Sequence, residues 1–127
     1  MNDNSGNVYP ILLYRDADAA IKWLIDAFGF TEQAVHRDEN GTVAHSELRF
    51  GKGVIMLSQT AKPATGEPDA DDYGIYVAVP DADAHHDRAV AAGARIVRPL
   101  ENQDYGSRDY VARDLEGRIW SFGTYGA

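Results

Sequence analysis

The sequence contains no cysteine, which excludes thiol catalysis, disulfide stapling and thiolate metal sites together. Positive charge is also scarce: twelve Lys and Arg stand against twenty Asp and Glu, for a net charge of −8. Phosphate binding needs a positive surface, so a nucleic-acid partner is not expected. The acidic balance either favours a cationic ligand or serves solubility alone. No apolar run approaches the roughly 20 residues of a membrane-spanning helix, so no membrane partner is expected. The opening MNDNSGN is polar and lacks the apolar centre of a secretory leader, which makes a soluble, cytoplasmic protein the expectation. There is no glycine loop of the kind that cradles phosphate, because Gly51-Lys52-Gly53 leads into a strand rather than a helix. No motif-level nucleophile arrangement is present either.

What the chain does have is apolar content, 44% of 127 residues, enough for one domain with its own core. Val8 to Arg15 reads as a strand. Asp16 offers an N-cap to a helix that carries Ile21, Leu24, Ile25 and Phe28 at helical spacing and stops at Gly29. Thr31 to Arg37, Thr42 to Phe50 and Val54 to Ser58 follow as strands, with a turn at Asp38-Glu39-Asn40-Gly41. Alternation puts Leu48 and Phe50 on one face of the middle strand and His45, Glu47 and Arg49 on the other. Residues 59–73, with two prolines and four acidic residues, read as a connector, either a surface loop or a lid over a pocket. Gly74 to Val79 is again a strand, Asp81 caps a second helix ending at Gly93, and Arg95 to Leu100 is a strand.

A hairpin over Tyr110 to Gly123 (YVARDLEGRIWSFG) closes the domain. Pairing Arg113 with Arg118 would put Val111, Trp120 and Phe122 on an apolar face. Tyr110, Ala112, Ile119 and Ser121 would then share a mixed face suited to a cavity wall.

The halves repeat. Asp16-Ala17-Asp18-Ala19 recurs 65 residues later as Asp81-Ala82-Asp83-Ala84, and the same displacement carries His45 to Tyr110 and Met56 to Ser121. A one-residue adjustment is needed between Gly29 and Gly93. The fold expected is therefore α+β: two tandem βαβββ repeats, 8–58 and 74–125, whose curved sheets bury their apolar faces under the helices within a single domain, 1–127.

On these residues the chain resembles the vicinal oxygen chelate superfamily of glyoxalase I, bleomycin resistance proteins and extradiol dioxygenases. The carrying stretches are Arg15-Asp16 with AAIKWLIDAFGF, His45-Ser46-Glu47-Leu48, GVIML, AVAAGARIV and YGSRDYVARDLEGRIWSFGTY. The small glyoxalase/bleomycin-resistance-like members are the nearest in pattern. The resemblance implies a homodimer that binds a small molecule. It also implies metal ligands on the first and last strand of each repeat, which here are Tyr9, Met56, Gly74 and Ser121. None is a His or a carboxylate, so no metal cofactor is expected at the family's position. The alternative is a divalent metal at a non-standard site.

Two functions follow as expectations. In the first, the cavity between the repeats binds a small organic molecule, cationic or aromatic, for sequestration or resistance. Tyr9, Met56, Tyr76, Tyr105, Tyr110 and Ser121 would line it, and His45, Glu47 and Arg108 would orient the guest. In the second, the protein is a lyase, isomerase or dioxygenase using a displaced metal or a His45/Glu47 acid–base pair. Glu47 should lie opposite Met56 if Arg49 pairs with Val54. Arg108 either reaches the cavity or holds a loop through carbonyls or Glu47. His86 reads as a packed core histidine, and His85 and His36 as surface groups. Ala20, Trp23 and Ala27 form a second apolar stripe on the first helix.

Overall fold

A computed structural model describes residues 8–61 and 74–126. The chain forms two units of like topology, 1–63 and 64–127. The first contains β1 (Ile11–Tyr14), α1 (Ala17–Trp23) continued by a π-helical turn (Leu24–Phe28), β2 (Thr31–Arg37), β3 (Val43–Phe50) and β4 (Gly53–Gln59), in the sheet order β1-β4-β3-β2. The second contains β5 (Ile75–Ala78), α2 (Ala82–Ala91), β6 (Arg95–Asn102), β7 (Arg108–Arg113) and β8 (Ile119–Gly123), in the order β5-β8-β7-β6. In each sheet the first strand pairs in parallel with the last, and the other pairs are antiparallel. Two mixed four-stranded sheets, each with one helical segment, make the α+β repeat that the sequence predicts. The connector expected as loop or lid lies outside the described residues from 62 onward.

The helix caps form as the repeated Asp-Ala-Asp-Ala implies. Asp16 Oδ1 accepts from Ala19 N–H and Asp81 Oδ1 from Ala84 N–H, both at 3.0 Å, satisfying one orphan donor at each helix start. Both helical segments end on a left-handed glycine, Gly29 (φ 85°) and Gly93 (φ 94°). The first is one residue longer between cap and glycine, and the π-helical turn is where that residue is taken up, since such a turn holds an extra residue without breaking the helix. Each helix seals one face of its own sheet. In the first unit that face carries Leu12, Ser46, Leu48, Ile55 and Leu57, all buried. In the second it carries Tyr110, Ala112, Trp120 and Phe122, also buried.

Three turns share one geometry: Asp38–Thr42, Gln103–Ser107 and Asp114–Arg118. In each, the first residue's N–H donates to the fifth residue's carbonyl (2.9, 2.7 and 2.9 Å) and the fourth residue's N–H to the first's carbonyl (3.0 Å in all). The fourth residue is always a glycine at positive φ: Gly41, Gly106 and Gly117. This is a type I turn closed by a left-handed bulge residue, which lengthens a hairpin loop to three residues.

That geometry corrects the register expected for the last hairpin. Arg113 pairs with Ile119 rather than Arg118, so Ala112 faces Trp120 and Tyr110 faces Phe122. A one-residue slip moves every side chain of a strand to the opposite face. Tyr110 and Ala112 therefore belong to the core beside Trp120 and Phe122, and Val111 shares the open face with Ser121. Asp114 holds the register: its Oδ1 accepts from Glu116 and Arg118 N–H (2.9 and 3.0 Å), and its Oδ2 takes the buried Trp120 indole N–H at 3.0 Å. A buried indole N–H needs such a partner.

Candidate functional site

The open face of each sheet, turned away from its helix, carries the polar clusters. In the first unit β3 presents His45, Glu47 and Arg49, and Glu47 lies opposite Met56 with Arg49 opposite Val54, as the sequence predicts. His45 Nε2 donates to Glu47 Oε2 at 3.0 Å. Gln33 of β2 donates its Nε2–H to Glu47 Oε1 at 2.7 Å while its own Oε1 accepts from Arg49 Nε at 2.9 Å and from Arg49 Nη2. His36, opposite His45 in the register, stacks on it with ring centroids 5.8 Å apart. The Gln33 hydrogen bond, followed by that of His45, holds the Glu47 carboxyl below its ordinary value. A carboxylate so stabilised is a weaker base, which counts against Glu47 as a proton acceptor. Tyr9 is exposed and precedes β1, next to Pro10, whose carbonyl accepts from Met56 N–H of β4 at 2.9 Å.

In the second unit a cavity of about 200 Å³ opens over the same face. Tyr76 of β5 and Ser121 of β8 line it, opposite one another in register, with Val111 and Asp109 of β7, Arg98 and Glu101 of β6, and Tyr105 of the Gln103–Ser107 turn. Asp109 is its fixed point. It is only 8% exposed, and three hydroxyls converge on it at 2.8 Å each: Tyr76 and Ser107 donate to Oδ1, Tyr105 to Oδ2. Tyr125 N–H donates to Tyr76 Oη at 3.2 Å, so that hydroxyl is engaged both as donor and as acceptor. Burial, then the bond to Asp109, raises the Tyr76 phenol above its ordinary value; the bond to Asp109, then burial, does the same for Tyr105. Both phenols stay protonated donors at neutral pH. Gly123 lies opposite Asp109, where a Cβ would sit 1.8 Å from Oδ1 and 2.3 Å from Tyr76 Oη. The sheet therefore holds a glycine where the carboxylate cluster needs room.

Two of the expected site residues sit on the helix-side face of the second sheet. Tyr110 borders the cavity, but its ring lies in the core against Phe122 (5.3 Å) and the two histidines of α2. Its Oη is 2.6 Å from His85 Nδ1, and burial pushes the phenol well up from its ordinary value. Arg108 shares Tyr110's face and reaches α2, where Nε and Nη2 grip the Asp83 carboxylate (3.1–3.3 Å) and Nη1 donates to Asn102 Oδ1. It ties helix to sheet. His85 is also corrected: it is half-buried, 4.3 Å from the Phe122 ring centroid, rather than on the surface. His86 packs edge-on against Tyr110 at 5.1 Å.

The residues at the family's metal positions do not fit a divalent ion. Met56 faces Ile11 across β1 and β4, Ser121 faces Tyr76, and a Cβ on Gly74 would meet Ile119 Cγ2 at 2.9 Å. A thioether and a hydroxyl beside alkyl and phenol groups are poor donors for such a cation. Among the described residues no three His, Cys, Asp or Glu gather in a geometry that could hold one.

Sequence reasoning missed Asp109, and with it Ser107, Gln33, Arg98 and Glu101. The signal lay in the repeat. The residue taken up before Gly29 shifts the displacement to 64 along the centre of β3 and β7, shown by Leu48 opposite Ile55 and Ala112 opposite Trp120. By that displacement His45 corresponds to Asp109, not Tyr110.

The sequence profile of the Glyoxalase/Bleomycin resistance protein/Dioxygenase superfamily matches residues 8–122. The chain is 33% identical over 125 residues to the uncharacterized protein Mb0911c of Mycobacterium bovis, a match covering 90% of this chain and 80% of that one. It is 33% identical to protein Rv0887c of Mycobacterium tuberculosis, covering 90% and 71%. Among solved structures, TioX from Micromonospora sp. ML1 is similar at 37% identity and a TM-score of 0.75, covering 93% of this chain and 94% of that one. The fosfomycin resistance protein FosX from Mesorhizobium loti, at 18% identity, TM-score 0.68 and coverage of 94% and 91%, shares the fold.

Proposed function

Because the chain belongs to the glyoxalase/bleomycin resistance protein/dioxygenase superfamily, we propose that it binds a small organic molecule without a metal, on the open face of its second sheet, and sequesters it. The observation that carries this reading is the cavity built over Asp109. Its tyrosyl walls are fixed by hydrogen bonds before any ligand arrives, which lowers the ordering cost of binding. A concave site with a few convergent polar groups is the usual form of a small-molecule pocket. About 200 Å³ is less than the ~300–1,000 Å³ that takes a whole drug-sized ligand, so the cavity receives one part of its guest. The unsuitable donors at Met56, Gly74 and Ser121 support binding without a metal. The depressed Glu47 carboxyl supports binding over acid–base turnover at His45 and Glu47.

The same reading places the protein in the cytoplasm as a homodimer. Among the described residues no helix is long and apolar enough to cross a membrane.

The test is a thermal-shift screen of cationic glycopeptides, planar aromatics and small amines, with metal analysis of protein purified without chelator. A ligand at one hundred times its Kd stabilises the folded state by ~2.7 kcal/mol, a rise in Tm on the order of 10 °C for a chain of this size. That rise should vanish in Asp109→Ala and Tyr76→Ala. Stoichiometric Ni, Zn, Fe or Mn would overturn the metal-free reading, and a Tm unmoved by every class would overturn binding.

A further inference from the structure

Two of the cavity's aromatic groups, Tyr76 and Tyr105, both meet a third ring, Tyr125, which stands beside the cavity rather than in its lining. The Tyr125 ring stands at 90° to Tyr76 and at 81° to Tyr105, with both centroid separations 6.2 Å. Tyr76 and Tyr105 are pinned to opposite oxygens of the same carboxylate, and Tyr125 is tied to Tyr76 through its backbone N–H. The result is a corner of three tyrosyl rings on a single anionic base. All three residues are exposed: Tyr76 40%, Tyr105 64%, Tyr125 63%. The charges lining the cavity are two carboxylates, Asp109 and Glu101, against one guanidinium, Arg98.

We propose that this corner receives the alkylated ammonium head of an organic cation. The inference rests on the cavity being the ligand site and adds the charge and shape of the group that enters it. The face of an aromatic ring is the negative end of its quadrupole, so rings meeting near right angles surround a compact cation with attractive surface. A phenol that donates its proton to a carboxylate is polarised toward greater ring electron density, which strengthens the attraction. Asp109 supplies a full counter-charge below the rings without needing a hydrogen bond from the ligand, and this suits a quaternary nitrogen that has no N–H to give. A primary amine or a guanidinium would instead have to compete with the hydroxyls already on Asp109. The net charge of −8 attracts the same sign of ligand from a distance. Arg98 is exposed, and an anionic substituent on the same molecule, outside the corner, would suit it.

The experiment is an NMR titration of the full chain with four probes of matched size: choline, tetramethylammonium, the neutral isostere 3,3-dimethylbutan-1-ol and the anion 3,3-dimethylbutyrate. Choline and tetramethylammonium should shift the amide resonances of Tyr76, Asp109, Ser121 and Tyr125, with choline at least tenfold tighter than its neutral isostere. Tyr105→Leu or Tyr125→Leu, both at exposed positions, should weaken choline about 2–30-fold, the span of one cation–π contact. Tyr105→Phe, which keeps the ring, should recover most of that loss. Equal affinity for the neutral isostere would overturn the proposal in favour of a merely apolar pocket, and tighter binding of the anion would overturn it in favour of Arg98. If the ammonium probes leave these resonances unmoved while a planar aromatic shifts them, the cation is wrong and the cavity remains the ligand site. If nothing shifts them, both readings fall.

Discussion

Gly123→Ala is the most informative single change that the structure offers. The new methyl would occupy a point 1.8 Å from Asp109 Oδ1, 2.3 Å from Tyr76 Oη and 2.7 Å from Asp109 Cγ, so the carboxylate has to move. Asp109 is almost wholly buried, and two of its three hydroxyl partners, Tyr76 and Ser107, are bound to the very oxygen that is struck. Hydrogen bonds to a charged acceptor are each worth about 1.5–3 kcal/mol. Partial loss of two, with some recovery by rotation, gives a destabilisation of about 2–4 kcal/mol, within the range reserved for breaking a buried network. Urea denaturation of wild type, G123A, D109A and the double variant measures it. Once Asp109 is shortened to alanine, the Tyr76 hydroxyl is what remains of the three nearest atoms, at the end of a long and half-exposed side chain. G123A should then cost less than about 1 kcal/mol, which makes the coupling between the two positions at least ~1 kcal/mol. An equal cost for G123A in both backgrounds, or a cost below about 0.5 kcal/mol in the wild type, would show that the cluster does not depend on the glycine.

Three further outcomes are expected. Glu47 should titrate below its ordinary value of 4.5, with Gln33→Ala restoring more of the depression than His45→Ala, as followed by side-chain carboxyl NMR. Because that shift is downward, its contribution to stability is present above the ordinary value and lost as pH falls through the folded-state value; a larger effect from His45→Ala would contradict the assignment. The Tyr110 phenol is raised by burial, so its contribution is complete below pH ~10 and is lost as pH climbs through the folded-state value. Its phenolate absorbance should appear only with global unfolding, Tyr110→Phe should remove that step at about 1 kcal/mol for the lost hydrogen bond, and titration at the ordinary pH with near-UV dichroism intact would refute the burial argument. Finally, deletion of Asp26 from the π-helical turn should leave a folded protein, since it restores the length found between Asp81 and Gly93. Deletion of Asp87 from α2 removes a residue where no such turn absorbs the change and should lower Tm far more; equal losses would show that the extra residue is not taken up at Leu24–Phe28.

How much of this was legible in the sequence depends on where single residues are gained and lost. The caps at Asp16 and Asp81, the stops at Gly29 and Gly93, and the alternation of His45, Glu47 and Arg49 are local, and they came through unaltered. The pairing of Glu47 with Met56 was also readable, because four residues separate Arg49 from Val54 and a tight glycine turn fits that count. The hairpin of β7 and β8 failed because five residues separate Arg113 from Ile119, the fifth accommodated by the left-handed Gly117. An aspartate followed three residues later by glycine marks this turn at Asp38 and again at Asp114. In both, five residues separate the flanking pair, Arg37 with Val43 and Arg113 with Ile119, one more than a four-residue turn allows.

The deeper omission has the same cause. Two insertions, one in the π-helical turn of the first repeat and one in the Asp114–Arg118 turn of the second, cancel over the whole repeat. A displacement of 65 therefore fits both ends of the repeat and fails in the middle. Within that interval the true partner of His45 is Asp109, and the open faces of the two sheets correspond: an imidazole hydrogen-bonded to Glu47 in one unit, a carboxylate holding three hydroxyls in the other. The duplication has thus kept a polar cluster on each sheet while changing the partners of its carboxylate. In the first unit His45, Gln33 and Arg49 surround a depressed carboxylate with partners already engaged. In the second, the carboxylate's partners are two phenols and a serine hydroxyl, neutral donors that satisfy its oxygens without an opposite charge. An anionic site walled by rings differs chemically from a carboxylate hydrogen-bonded to an imidazole and an amide, and that difference is what the proposed reading of the second sheet as the ligand site rests on.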